Sequence, residues 1–208
     1  MLRLLICDIQ QIAPLQEELQ KRLPPFRLAQ MKRYRLPEDQ LRCLAGGLLI
    51  GHALGESCWA KLSFGSQGKP FFPEGPFFNL SHSGDFTALA VCHAPVGIDI
   101  QKQGPADFFA LANRCFHPAE RQLLASAPDT AQMFYTLWTL KESYMKADGR
   151  GFSLDPLSFA ISWNTPELAQ VAGAPDSRLY PLSCPPGYSA ALCTTGEDQP
   201  PPFQWIRF

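Results

Sequence analysis

Phe86-Thr87-Ala88-Leu89-Ala90-Val91-Cys92-His93-Ala94-Pro95-Val96-Gly97-Ile98-Asp99-Ile100 holds two apolar runs of strand length on either side of a His-Ala-Pro turn. Short runs rich in Val, Ile, Leu and Ala, bounded by Pro or Gly, read as strands rather than helices. Upstream, residues 77–80 form a third such run, and Ser81-His82-Ser83-Gly84-Asp85 supplies the turn that follows it. Three short strands with tight connections predict a largely antiparallel meander.

Outward from this centre, residues 2–9 read as a first strand rather than a leader, since Asp8, Gln10 and Gln11 interrupt the apolar run early. Residues 14–23 suit a short amphipathic helix stopped by Pro24-Pro25. Arg27, Lys32, Arg33 and Arg35 then form a basic stretch, which reads as a solvated helix face. A longer helix is predicted from an N-cap at Asp39 to about Gly55, with Leu41, Leu44, Leu48 and Leu49 inward and Arg42 in its first turns. Gly65-Ser66-Gln67-Gly68-Lys69-Pro70 is a loop. Beyond the centre, helical patterns cover 106–113, 118–126 and 130–148, and strands are expected at 159–163, 188–194 and 203–208. Residues 172–186 and 197–202 read as proline-rich connections. The class is α+β, with a division near Gln101-Lys102-Gln103-Gly104-Pro105 into residues 1–101 and 102–208.

The chain has 208 residues, 46% of them apolar, and a net charge of −1, enough for a sizeable core and without the basic excess of a nucleic-acid binder. No apolar run approaches the roughly 20 residues that span a bilayer. The seven cysteines are scattered, with no Cys-x-x-Cys pair. Cys7, Cys92 and Cys193 lie in apolar runs and read as small core residues in a reducing compartment, most simply the cytoplasm.

Two segments carry chemistry. Asp99 ends an apolar strand, where a carboxylate can face a metal or merely form a turn. On the helix at 130–148, Met133, Leu137, Leu140 and Tyr144 share an apolar arc, while Glu142 and Lys146 share the opposite face, with Lys141 to one side. A Glu-to-Lys pair four apart is an ordinary solvated helix pair by itself. Brought to Asp99, it could instead hold a hard divalent cation and phosphate.

Taken in order, Arg42, Gly68-Lys69-Pro70, Phe78-Asn79-Leu80-Ser81-His82-Ser83-Gly84, Gly97-Ile98-Asp99-Ile100, Arg114-Cys115-Phe116, the Trp138-to-Lys146 segment and Gly149-Arg150-Gly151-Phe152-Ser153-Leu154 form a known series. The chain resembles the 4′-phosphopantetheinyl transferases, in particular the longer single-chain type that serves surfactin-like peptide synthetases. The resemblance implies two similar α/β subdomains with pseudo-twofold symmetry and an active site in the cleft between them. It implies transfer of the phosphopantetheine arm of coenzyme A to a serine of an apo acyl or peptidyl carrier protein, with adenosine 3′,5′-bisphosphate released. It implies magnesium on Asp99 and Glu142, with Lys141 and Lys146 at the diphosphate. Arg42 and His82 would hold the 3′-phosphate, and Lys69, Asn79 and Ser81 would line the nucleotide pocket. Glu142 is the expected base for the serine proton, and Lys146 its catalytic partner. Many relatives carry a second acid where this chain has Gln101, so Gln101 is at most an auxiliary ligand. The length suggests both halves in one polypeptide, hence a monomer. Phe108, Phe109, Phe116 and Leu123 are candidates for carrier docking or for core. A non-catalytic relative that only binds coenzyme A or a carrier protein is the alternative. A different magnesium-dependent phosphotransferase is disfavoured by the lack of a Walker-type loop.

Overall fold

A computed structural model describes residues 1–65 and 68–208, the Phe152 side chain excepted. The loop expected at 65–70 thus has Ser66 and Gln67 outside the described residues. The chain runs β1 (Arg3–Asp8), α1 (Ile9–Ile12), α2 (Gln16–Leu19), α3 (Pro25–Met31), α4 (Pro37–Leu54), β2 (Ser63–Phe64), β3 (Pro70–Phe71), β4 (Phe77–Ser83), β5 (Phe86–Cys92) and β6 (Val96–Lys102). It continues with α5 (Phe108–Cys115), α6 (Pro118–Ser126), α7 (Thr130–Asp148), β7 (Ile161–Thr165), β8 (Leu168–Val171), β9 (Ala174–Leu182), β10 (Tyr188–Thr194) and β11 (Gln204–Trp205).

Two sheets form, in the orders β11-β1-β5-β4 and β6-β10-β9-β8-β7, with β2 and β3 as a separate pair. Alternation along the strands sends successive side chains into different cores. Leu5 and Cys7 of β1 and Leu89 and Val91 of β5 pack with α4 residues such as Leu44 and Leu48. Leu4, Ile6, Ala88 and Ala90 point the other way, against Ile98, Ile100 and Leu192 of the second sheet. Ala191 and Cys193 of β10 face Leu137 and Leu140 of α7. The layers are therefore helix, sheet, sheet, helix. Each half is one long helix on one sheet, as expected for the α+β class.

Several local expectations change. β6 does not continue the meander: it pairs with β10, Asp99 opposite Ala191, so the division expected at 101/102 falls inside a strand of the second sheet. β11 returns to β1 in the first sheet. Ser81 and His82 are not in a turn, because β4 extends through Ser83 and the turn is Gly84-Asp85. The cap of α4 is Leu36, with Pro37 at its first position, and Asp39 lies within the first turn, where it pairs with Arg42. Residues 14–23 break into α2 and short 3-10 turns. The proline-rich stretch at 172–186 contains β9, and β8 precedes it. All seven cysteines are free; Cys7, Cys92 and Cys193 are buried. Burial pushes the Cys7 and Cys193 thiols up to about 12. No helix among the described residues is long and apolar enough to cross a membrane.

Candidate functional site

The two sheets meet where β4 runs beside β6, and side chains take over the role of a backbone ladder. Asn79 Oδ1 accepts the Ile98 N–H at 2.9 Å, Ser81 Oγ accepts the Ile100 N–H at 3.2 Å, and Ser83 Oγ accepts the Lys102 N–H at 3.0 Å. A polar residue at every second position of β4 thus satisfies every second amide of β6. That pattern turns the opposite face of β4, with Phe78, Leu80 and His82, toward α4. It also holds the face of β6 that carries Asp99 open to α7.

Helix α7 can lie against β6 because residue 97 has no side chain. A Cβ there would overlap the Ser143 carbonyl oxygen and the Ala147 amide nitrogen, both of them backbone. This contact fixes the height of Glu142 and Lys146 over Asp99. Gly97→Ala is expected to cost about 1–3 kcal/mol or more by overpacking, read by urea unfolding. It should also lower activity in the protein that remains folded, since α7 must move off the strand.

Asp99 is buried, with 5% of its surface exposed. Its Oδ1 accepts hydrogen bonds from Ser81 Oγ at 2.8 Å and from Lys146 Nζ at 2.6 Å. Lys146 Nζ also reaches Ser81 Oγ at 3.0 Å. The second oxygen, Oδ2, is buried without a hydrogen-bond partner among the described residues. Such a carboxylate oxygen is costly unless something cationic meets it. Glu142 stands one turn before Lys146, and its carboxylate makes no hydrogen bond or ion pair among the described residues. Burial raises the pKa of its carboxyl, and Asp99 adds to the rise while Lys146 opposes it. Among the described residues no three His, Cys, Asp or Glu side chains converge on one point. Asp99 and Glu142 are both hard oxygen donors, a type that could hold a small divalent cation completed by water. Gln101 lies two residues along β6, and its amide donates to the Lys102 carbonyl oxygen at 3.3 Å.

On the α4 side of β4 is a cavity of about 240 Å³ whose walls include Arg27, Arg42, Lys69, His82, Tyr34 and Phe64. Arg42 is steered into it by Asp39 at 2.5 Å and by the Gly84 carbonyl at 2.8 Å. Nearby walls desolvate the His82 ring, and Arg42 and Lys146 repel its proton, so its pKa lies below the ordinary imidazole value although the residue is exposed. Lys69 donates from Nζ to the Lys146 carbonyl oxygen, tying the cavity to the end of α7. Burial lowers its pKa, against opposing pulls from Asp148 and Cys193.

Most of the expected site residues converge, and three take different roles. Asn79 lines the cavity but spends its oxygen on the seam. Ser81 faces Asp99 and Lys146 and is not part of the cavity wall. Lys141, expected at the diphosphate, points away into the second core. It is 2% exposed, and its Nζ lies 2.9 Å from both oxygens of the fully buried Glu120 and from the Phe159 carbonyl. The buried side of α7 is wider than the apolar arc, since Lys141, Ser143 and Met145 are buried beside Leu137 and Leu140, while Glu142 and Lys146 on the opposite face are half-buried.

Arg27 is the residue that sequence reasoning missed. Its guanidinium reaches the Cys43 carbonyl at 2.9 Å, and its Nε is buried without a partner among the described residues. Lys32, Arg33 and Arg35 are exposed, as a solvated face would be. Of the docking candidates, Phe116 is buried, whereas Phe109 and Leu123 are exposed.

Comparison with known proteins points one way. A family model described as the 4′-phosphopantetheinyl transferase superfamily matches residues 95–193. The chain is 31% identical over 212 residues to the 4′-phosphopantetheinyl transferase Sfp of Bacillus subtilis (strain 168), with 94% of each chain covered. It is 35% identical over 195 residues to 4′-phosphopantetheinyl transferase psf-1 of Bacillus pumilus, covering 84% of this chain and 81% of that one. A further Bacillus subtilis 4′-phosphopantetheinyl transferase is 41% identical over 139 residues, a match that spans 62% of each chain.

Proposed function

The chain belongs to the 4′-phosphopantetheinyl transferases, and from that premise we propose that it moves the phosphopantetheine arm of coenzyme A onto a serine hydroxyl of an apo acyl or peptidyl carrier protein, releasing adenosine 3′,5′-bisphosphate. The observation that carries the details is the buried, unpartnered Oδ2 of Asp99 beside Glu142 and Lys146. Asp99 and Glu142 would hold a magnesium ion, with Gln101 as at most an auxiliary ligand. Bound there, magnesium would offset charge that builds on the diphosphate as the bond to phosphorus breaks.

The protein's own residues would do the rest. Lys146, two of whose N–H groups go to Asp99 and Ser81, would offer its third to the diphosphate, and Lys69, held by the Lys146 carbonyl, would add a donor from the cavity side. Arg42 and Arg27 make the cavity basic and His82 would add a ring N–H donor, which suits the 3′-phosphate through hydrogen bonds that the arginines make charge-assisted. Glu142, whose burial raises its proton affinity, would take the serine proton directly or through a water. Both halves contribute side chains from one polypeptide, which supports a monomer. Seven free cysteines fit the cytoplasm.

The metal site has a test independent of turnover. Magnesium should raise the melting temperature of the free protein, because a ligand that binds only the folded state stabilises it. Asp99→Asn should remove that rise while the protein still folds. An equal rise in Asp99→Asn, or none in the unmodified protein at millimolar magnesium, would overturn the two-carboxylate site.

A further inference from the structure

One residue outside every motif reaches across the molecule to the turn that carries the basic cavity. Tyr188 begins β10 in the second sheet, yet its hydroxyl accepts the Asp85 N–H at 2.9 Å and donates to Asp85 Oδ2 at 3.1 Å. Lys102 of β6 reaches the same Oδ2 at 3.1 Å, and Gln10 donates to Oδ1 at 3.1 Å. The Ile9 N–H donates to the Asp85 carbonyl at 2.8 Å. Gly84 has φ +53°, and a Cβ there would overlap the Tyr188 hydroxyl and stand 2.6 Å from Lys102 Cδ. The tyrosine ring is itself held, edge-on to Phe86 at 4.8 Å between centroids. The polar groups of Asp85 in this two-residue turn are thus occupied, and the Gly84 carbonyl accepts from Arg42 Nε. His82 lies two residues before the turn on the same strand.

We propose that Tyr188 is a positioning residue for the nucleotide cavity: its hydroxyl, supplied by the opposite half of the molecule, fixes the Gly84-Asp85 turn and through it sets the placement of Arg42 and His82. This rests on the reading that Arg42 and His82 meet the 3′-phosphate of coenzyme A. A purely structural role would lower stability and affect all donors alike. A positioning role affects only the donor that carries the 3′-phosphate.

The test compares coenzyme A with 3′-dephospho-coenzyme A as donors for the unmodified protein, Tyr188→Phe and Arg42→Ala. Losing one well-placed hydroxyl that makes two hydrogen bonds predicts a rise of about five- to tenfold in KM for coenzyme A. For Tyr188→Phe, kcat should change little, and KM for the dephospho donor should stay within about twofold on the same reasoning. If Tyr188→Phe fails to fold, Asp85→Ala removes the partner of the hydroxyl from the turn side and should give the same split. Equal KM changes for both donors in Tyr188→Phe, with discrimination lost in Arg42→Ala, would overturn the positioning role alone. Undiminished discrimination in Arg42→Ala would overturn the 3′-phosphate assignment and the positioning role with it.

Discussion

Glu142→Gln is expected to lower transfer by about a hundred- to a thousandfold or more, the scale on which one preorganised charge at a reacting centre acts, while making the free protein more resistant to heat. The loss follows from removing a carboxylate proposed both as metal ligand and as base. The gain in stability follows from the sign of the pKa shift. Burial raises the Glu142 carboxyl above its unfolded value of 4.5, so the folded state favours the protonated form more than the unfolded state does. Stability from this group is full below the unfolded pKa and declines as pH rises through the folded one. At neutral pH the ionised carboxylate therefore weighs against folding, and glutamine relieves that cost. The difference in melting temperature between the variant and the parent should be absent in acid and present at neutral pH, in metal-free buffer. Saturating magnesium should reverse it by stabilising the parent alone. A neutral-pH variant that melts lower than the parent without metal would contradict this account of Glu142.

Lys141→Ala is expected to destabilise the protein by about 3–5 kcal/mol, because it strands the Glu120 carboxylate in the core. Glu120 is fully buried, with Oε1 accepting from the Ile161 N–H at 2.8 Å and Oε2 from the His117 N–H at 2.8 Å. Those bonds remain in the variant, but the carboxylate loses the one ion-pair partner it has among the described residues. The lysine also lies over the Phe159 ring at 4.0 Å, so the truncation empties packed volume as well. Pairing Lys141→Met with Glu120→Gln should recover part of the loss, since no uncompensated charge then remains buried. Urea unfolding of the two single variants and the double variant reads the coupling directly. If Lys141→Ala unfolds like the parent, the buried ion pair is not holding α7 in place.

Much of this was legible in the letters. The apolar runs of β5 and β10 and the extent of α7 follow from local periodicity alone, and the pairing of Asp99 with the Glu142-Lys146 helix face follows from the ordered motifs. What was not legible depends on contacts far apart in sequence. Nothing local in Val96–Lys102 tells it to leave β5 and pair with β10, some ninety residues later. Pro175 and Pro181 argue for an irregular connection, yet long-range pairing makes β9 a strand. Lys141 and Glu142 point about 100° apart on α7, and what the letters did not show is that Glu120, about twenty residues earlier, is buried to receive the lysine in the core. Arg27 sits in a run of basic residues that are mostly solvated, and its difference from them is its position against Cys43 of α4. Gly97 is the converse: a glycine inside a strand already hints at close backbone approach, and α7 is what approaches.

The most direct measurement is the intact mass of an apo carrier protein incubated with coenzyme A, magnesium and this protein, with Glu142→Gln in parallel. The account predicts that the carrier gains one phosphopantetheine arm on a serine with the parent protein, and gains essentially none over the same time with the variant. No gain on any of several acyl and peptidyl carriers despite tight coenzyme A binding, or an equal gain with Glu142→Gln, would contradict it.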